Sequence, residues 1–232
     1  MTQNISHAVM SQRHEPGNSL DDFPTPPWAT RGFIEQVLMQ RHSLGSQTCL
    51  EPACGRGDMA KVLKRVFLRV HASDIHEYGY GSMRDFLAPG HFEAEADWVI
   101  TNPPFGHALK FVEKALPCAR VGVAMLVRTN FLEGNKRYQQ LFRHNPPTLI
   151  VQYVERVPMV KGRLDPKVST ATSYCWLVWE IGQPSRSELL WIAPCRKQYE
   201  RPDDYGAYKV AEVSSVKDLD QGGLRCLSNV NG

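Results

Sequence analysis

Three apolar runs in the second half of the chain limit its fold more than anything else in it. VGVAMLV (121–127) is followed by a polar helical pattern over 134–144 and then by TLIVQYVE (148–155). Between TLIVQYVE and SYCWLVWEI (173–181), by contrast, stands only the loop PMVKGRLDPKVST. A helical crossover returns a strand parallel to the one before it, whereas a loop without a helix returns it antiparallel. The last two strands are therefore expected to form an antiparallel hairpin at one edge of the sheet. VGVAMLV is apolar on both faces, as a central parallel strand must be.

Upstream, strands and helices alternate. A helix is predicted over 29–41, with Phe33, Val37 and Leu38 on one face. A strand at Thr48–Glu51, a glycine turn and a helix over 58–67 follow. LRVHASDI (68–75) reads as a second strand, and the Gly/Tyr-rich HEYGYGSMRDFLAPG occupies the region of a third. Trp98–Thr101 is a strand and 108–119 a helix. The alternation predicts an α/β sheet with helices on both faces.

With 42% hydrophobic and 22% charged residues, the chain can bury a full core. Its net charge of +3 permits a nucleic-acid partner without demanding one. The six cysteines have no CxxC or Cys/His spacing, which argues against structural zinc and a disulfide framework and for reduced thiols in a cytoplasmic protein. No apolar stretch approaches the roughly 18 residues of a membrane span, so no membrane partner is expected. Residues 1–20 are polar and aperiodic and are expected to be loosely ordered. Residues 21–182 read as one domain and 183–232 as an extension of unknown role, weakly patterned apart from ELLWIAP. His71, His76, His91 and His107 lack metal-ligand spacing, and no metal is expected.

Two stretches carry chemistry. EPACGRGDMA sets Gly55, Gly57 and Ala60 in a G-x-G-x-x-A arrangement between a strand and a helix. A backbone without Cβ can approach a ligand closely, and a helix start offers N–H groups to an anion. Asp74, at the end of the next strand, has the position of a ribose ligand. Such glycines also make plain tight turns, or bind dinucleotides in oxidoreductases. Glu51 weighs against a pyrophosphate and for a ligand carrying an ammonium group. S-adenosylmethionine has an ammonium, a carboxylate and a ribose.

The second stretch is DWVITNPPFGHA (97–108). Asn102 offers a side-chain carbonyl and Pro103 a backbone carbonyl with no donor of its own. Two such acceptors beside an exocyclic amine would localise its lone pair. Pro103 and Pro104 stiffen the turn, and Phe105 offers a face for stacking. HNPPT (144–148) repeats the tripeptide before a strand and without the aromatic, which is the plain-loop alternative.

Together these residues resemble the class I S-adenosylmethionine-dependent methyltransferases, most closely the DNA N6-adenine methyltransferases, including those of phages and prophages. EPACGRG resembles the first cofactor motif, implying contacts from Glu51, Ala53, Cys54 and Gly55. Asp74 and Ile75 follow at the second strand. RDFL resembles the third motif, implying that Asp85, with Phe86, holds the cofactor's adenine. FPTPPWATRGFIE (23–35) resembles the opening segment, which implies Thr25 and Pro26 near the methionine part. NPPF resembles the catalytic motif, with Asn102 touching both cofactor and substrate. The resemblance covers residues 22–182. It implies a Rossmann-like, seven-stranded, mostly parallel sheet with a C-terminal antiparallel hairpin. About fifty residues separate the two motifs, too few for an inserted target-recognition domain, so specificity falls to loops, the tail, a second subunit or a partner.

A base inside a duplex must be flipped out to be methylated. Trp28, Phe105 and the loop 156–172, with Arg156, Lys161, Arg163 and Lys167, are candidate walls, wedges and phosphate contacts; ordinary surface charge explains the loop equally well. Lys61, Lys64, Arg65 and Arg69 read as a solvated face. DNA is the favoured substrate. RNA is its competitor, protein glutamine is disfavoured, and an inactive cofactor-binding partner subunit stays open.

Overall fold

The structure, a computed structural model, describes residues 21–90, 96–184 and 186–206. The expected loose segment 1–20 and the end of the tail lie outside the described residues.

Strands β1 (Thr48–Glu51), β2 (Arg69–Asp74), β4 (Ala96–Thr101) and β5 (Ala119–Arg128) pair in parallel. The apolar residues of β1 and β4 and the central run of β5 are buried because helices pack on both sides. Helix α1 (Pro27–Phe33) continues through a wide turn over Ile34–Leu38 into α2 (Met39–Arg41). It starts with Pro27, which loses nothing by lacking an N–H in the first turn. Trp28, Phe33 and Leu38, with Met59 and Leu63 of α3 (Asp58–Leu63), pack on Trp98, Leu126, Val151 and Trp176. Phe33 stacks on Trp176 at 4.2 Å and 12°, a contact worth about 0.5–1.5 kcal/mol beyond the area that it buries. The other face is covered by α4 (Ala108–Ala115), whose Phe111, Val112 and Ala115 lie with Val99, Val123 and Met125. Helix α5 (Asn135–Arg137) runs into a wide turn over Tyr138–Phe142 on this side, and Leu141 joins the same core.

Among the described residues the sheet has eight strands, in the order β3-β2-β1-β4-β5-β7-β6-β8, where seven were expected. The hairpin of β6 (Leu149–Tyr153) and β7 (Tyr174–Glu180) is antiparallel. It does not stand with both strands at the rim: β7 lies inside, antiparallel to β5 as well. All seven residues of β7 are buried, so the strand needs neighbours on either side and cover above and below. The eighth strand, β8 (Glu188–Ile192), is the ELLWIAP segment and pairs in parallel with β6. It takes the edge with Leu189 and Trp191 exposed. The third strand shrinks to β3 (Ser82–Met83), which is exposed and lacks the apolar residues to extend it. Beyond β8, the short helix α6 (Arg196–Tyr199) leads to Asp204, whose carboxylate makes a buried two-pronged pair with Arg31 of α1 at 2.6 and 2.9 Å.

Trp28 is not a wall of any cleft. It is fully buried in the core, edge-on to Tyr153 at 6.4 Å, because the proline that opens α1 turns its first residues onto the sheet.

Candidate active site

The carboxyl ends of β1, β2 and β4 bring Glu51, Asp74 and Asn102 to one rim, the place where open α/β sheets bind ligands. A cavity of about 610 Å³ opens there. Thr25, Glu51, Ala53, Cys54, Gly55, Asp74, Ile75, Asp85, Phe86, Asn102 and Pro104 all line it. Pro103 and Phe105 are not among its lining residues, and Pro26 is used at the start of α1, where its carbonyl accepts the Ala29 amide at 2.9 Å.

The glycine turn departs from the expected anion cradle. The Gly55 amide donates to Asp74 Oδ2 at 2.9 Å, and the His76 amide to Asp74 Oδ1 at 3.0 Å, so Asp74 shapes the turn as well as facing the cavity. The Ala60 amide, at the start of α3, serves Glu51. The acceptor at this helix start is thus the protein's own Glu51 carboxyl group. Gly57 has φ +80°, and a Cβ there would stand 2.5 Å from the Tyr80 ring, so no other residue fits. At Gly55 a Cβ would meet nothing and project into open space.

Glu51 is fully buried, and its Oε2 has no hydrogen-bond partner. Burial first, and then Asp58 and Asp74, push its pKa well above the usual carboxylate range. The same burial, with Glu51 and Asp74 nearby, holds the Cys54 thiol at about 12, so this thiol stays protonated and serves as packing. Asp21, Asp22, Glu51, Asp58, Asp74 and Asp85 line the cavity against Arg56 and Lys110. Such a field favours a cationic ligand over a pyrophosphate.

The Asn102 side chain is oriented without ambiguity. Its Nδ2 donates to the Phe23 carbonyl at 2.8 Å, and that oxygen can only accept. Met159 Sδ lies 3.7 Å from the same nitrogen. Oδ1 is left buried and without a partner beside the cavity. Phe105 does not offer the open face expected of it: Phe23 lies against it at 5.2 Å, Tyr174 at 6.0 Å, and the Arg128 guanidinium sits over the ring at 4.0 Å.

The cations of loop 156–172 do not enter the cavity. All four are exposed. Arg156 turns back to the Ala171 carbonyl and Ser173 Oγ, and Arg163 faces Asp165 at 3.4 Å. The loop reaches the site through Met159 and through the Gly162 amide, which donates to the Asp22 carbonyl at 2.8 Å. Lys61 and Lys64 lie 5.2 and 4.9 Å from the Tyr80 ring. The sequence reading named Thr25 of the segment 21–25 but missed the parts played by Asp22 and Phe23. The segment crosses the site, with Asp22 bonded to Arg56 at 2.8 Å and Phe23 bonded to Asn102. The reading also missed Arg128.

No protein-family model matches the chain, and a search of curated proteins finds no match. Its fold matches many solved structures. A modification subunit attributed to a type I restriction enzyme of Vibrio vulnificus aligns at TM-score 0.55 and 13% identity, over 86% of this chain and 54% of that one. A Listeria monocytogenes protein attributed to the class I S-adenosylmethionine-dependent methyltransferases aligns at 0.52 and 15%, over 86% and 73%. This is the class I methyltransferase fold. A Pyrococcus horikoshii protein attributed to the RNA methyltransferases aligns at 0.52 and 15%, over 72% and 90%. The chain spans about half the length of the type I modification subunit that it matches. In this chain the methyltransferase fold carries one strand more than expected, and its carboxyl rim holds both motifs read from the sequence.

Proposed function

We propose that this chain transfers a methyl group from S-adenosylmethionine to the exocyclic N6 amine of adenine in DNA. The observation that carries the reading is Asn102 Oδ1, a buried acceptor with no partner, held in place by the bond from its own amide nitrogen to Phe23. An unpaired buried acceptor is costly unless a ligand uses it. An amine N–H is a donor that would.

The residues suit the cofactor. Glu51 Oε2 would take its ammonium, Asp74 its ribose, and Asp85, with Ile75 and Phe86, its adenine, while Thr25 would flank the methionine chain. Bound S-adenosylmethionine supplies a sulfonium-borne methyl carbon open to direct in-line displacement. This chain's part is to hold the amine. Asn102 Oδ1 and the Pro103 carbonyl accept its two N–H bonds, localise its lone pair and fix its direction. Residues 21–182 would form the catalytic unit, with the segment beyond 182 added to it.

Asp74→Ala is expected to weaken cofactor binding at least tenfold, because it removes a ribose acceptor and also frees the Gly55 and His76 amides. Calorimetry with S-adenosylmethionine checks this, and an unchanged dissociation constant would remove Asp74 from the site.

The substrate is tested by incubating the protein with tritiated-methyl cofactor and DNA, RNA and protein pools, followed by mass spectrometry of the nucleosides. Label in DNA as N6-methyladenine supports the reading. Label in RNA alone supports the second reading, an RNA base-amine methyltransferase, which is favoured by the RNA methyltransferase neighbour covered over 90% of its length. Cofactor binding with no transfer to any pool would indicate an inactive partner subunit.

A further inference from the structure

Arg128 ends β5 at the same rim as Asn102. Thr101 pairs with Met125 across β4 and β5, so Arg128, three residues on, stands beside the NPPF turn. Tyr174 reaches the rim because β7 runs antiparallel and begins there, paired with Arg128 itself. The guanidinium lies 4.0 Å from the Phe105 centroid and 5.8 Å from that of Phe23, and it is hydrogen-bonded to Tyr174. Its Nε is buried and has no acceptor. Among the described residues no carboxylate pairs with it, whereas Arg56 is paired with Asp22 and Arg163 with Asp165. A half-buried cation fixed by aromatic rings and lacking a counter-ion is a place prepared for an anion.

Resting on the reading above that the substrate is a nucleic acid, we propose that Arg128 receives the phosphate flanking the target nucleotide and so positions the base at Asn102. The guanidinium has the planar fork that matches a phosphate, and Tyr174 and Phe105 set its direction before the strand arrives. It is a positioning residue: it acts on the strand, not on the reacting nitrogen. The exposed cations of loop 156–172 supply attraction without register, while Arg128 supplies register.

The test is a salt titration. A fluorescent twelve-residue deoxyadenosine single strand is bound to the wild type, Arg128→Met and Arg128→Lys at 50–200 mM salt. Methionine keeps the apolar stem and removes the charge, and thermal melts check that both variants fold. Losing one phosphate contact should lower the slope of log Kd against log salt by about 0.7 and weaken binding by roughly tenfold at low salt. Lysine should restore most of the slope but not all of the affinity, since a point charge cannot make the forked contact. In methyl transfer, KM should rise more than kcat falls. A methionine variant with an unchanged slope would overturn the proposal, because a prop for Phe105 and Tyr174 alone would leave the counter-ion count untouched. A wild type that binds no nucleic acid would overturn both this and the substrate reading.

Discussion

Asn102→Ala is expected to lower kcat by about 10²–10³-fold while the cofactor dissociation constant changes less than about threefold. That loss is about 2.7–4 kcal/mol of transition-state stabilisation, the scale found when one preorganised hydrogen-bonding group at a reacting centre is removed. The reason is the direction of the amide. Phe23 holds Nδ2, so Oδ1 faces the cavity without having to reorient during reaction. Asn102→Asp should fail too, because the Phe23 carbonyl would then confront an oxygen. The native amide bond to Phe23 contributes only about 1 kcal/mol, so both variants should remain folded. Single-turnover transfer of tritiated methyl to DNA, with calorimetry of the cofactor, separates the two constants. Turnover close to wild type in Asn102→Ala would remove the residue from the chemistry.

Glu51→Gln is expected to do two opposite things: stabilise the ligand-free protein where the wild-type carboxyl is charged, and weaken its hold on the cofactor. Glu51 has a raised pKa in the fold, caused by burial and then by Asp58 and Asp74. A carboxyl raised in this way supports the fold fully below its unfolded value, near 4.5, and that support is lost as pH climbs through the raised value. The wild-type melting temperature should therefore fall with rising pH above that point more steeply than that of the glutamine variant. Binding runs the other way. As Glu51 gives up its proton it becomes a better partner for an ammonium, so wild-type affinity should strengthen as pH climbs through that raised value. The variant should show a flat profile and, above that raised value, bind roughly 30- to 150-fold more weakly, as expected for losing a charged hydrogen bond of about 2–3 kcal/mol. Melts and calorimetry on either side of it test both halves. Equal affinities above the raised value would mean that the ammonium lies elsewhere.

How far this was legible in the sequence depends on distance along the chain. Glu51, Asp74 and Asn102 were found because each ends an apolar run, and parallel strands end together. The inward place of β7 was not, since alternation tells a strand's character but not its neighbours; the burial of all seven residues explains it afterwards. The edge strand β8 was visible only as ELLWIAP, too short and too exposed to announce itself. Trp28 looked like a wedge because it follows two prolines in an opening motif, yet those prolines start a helix whose first turn is buried. The bond from Asp22 to Arg56 spans 34 residues, and the bond from Asn102 to Phe23 spans 79. No local pattern carries such pairings. Arg128 sits in LVRTN, where nothing nearby marks its contact with Phe105.

The crossing segment 21–25 has a practical side. Asp22 and Phe23 tether the glycine turn, the Gly162 loop and the Asn102 amide to one short stretch of backbone. An affinity tag or truncation that disturbs this stretch would slacken three parts of the machinery at once. Expression designs for this protein should therefore leave the chain around residue 21 untouched and carry any fusion at the opposite terminus.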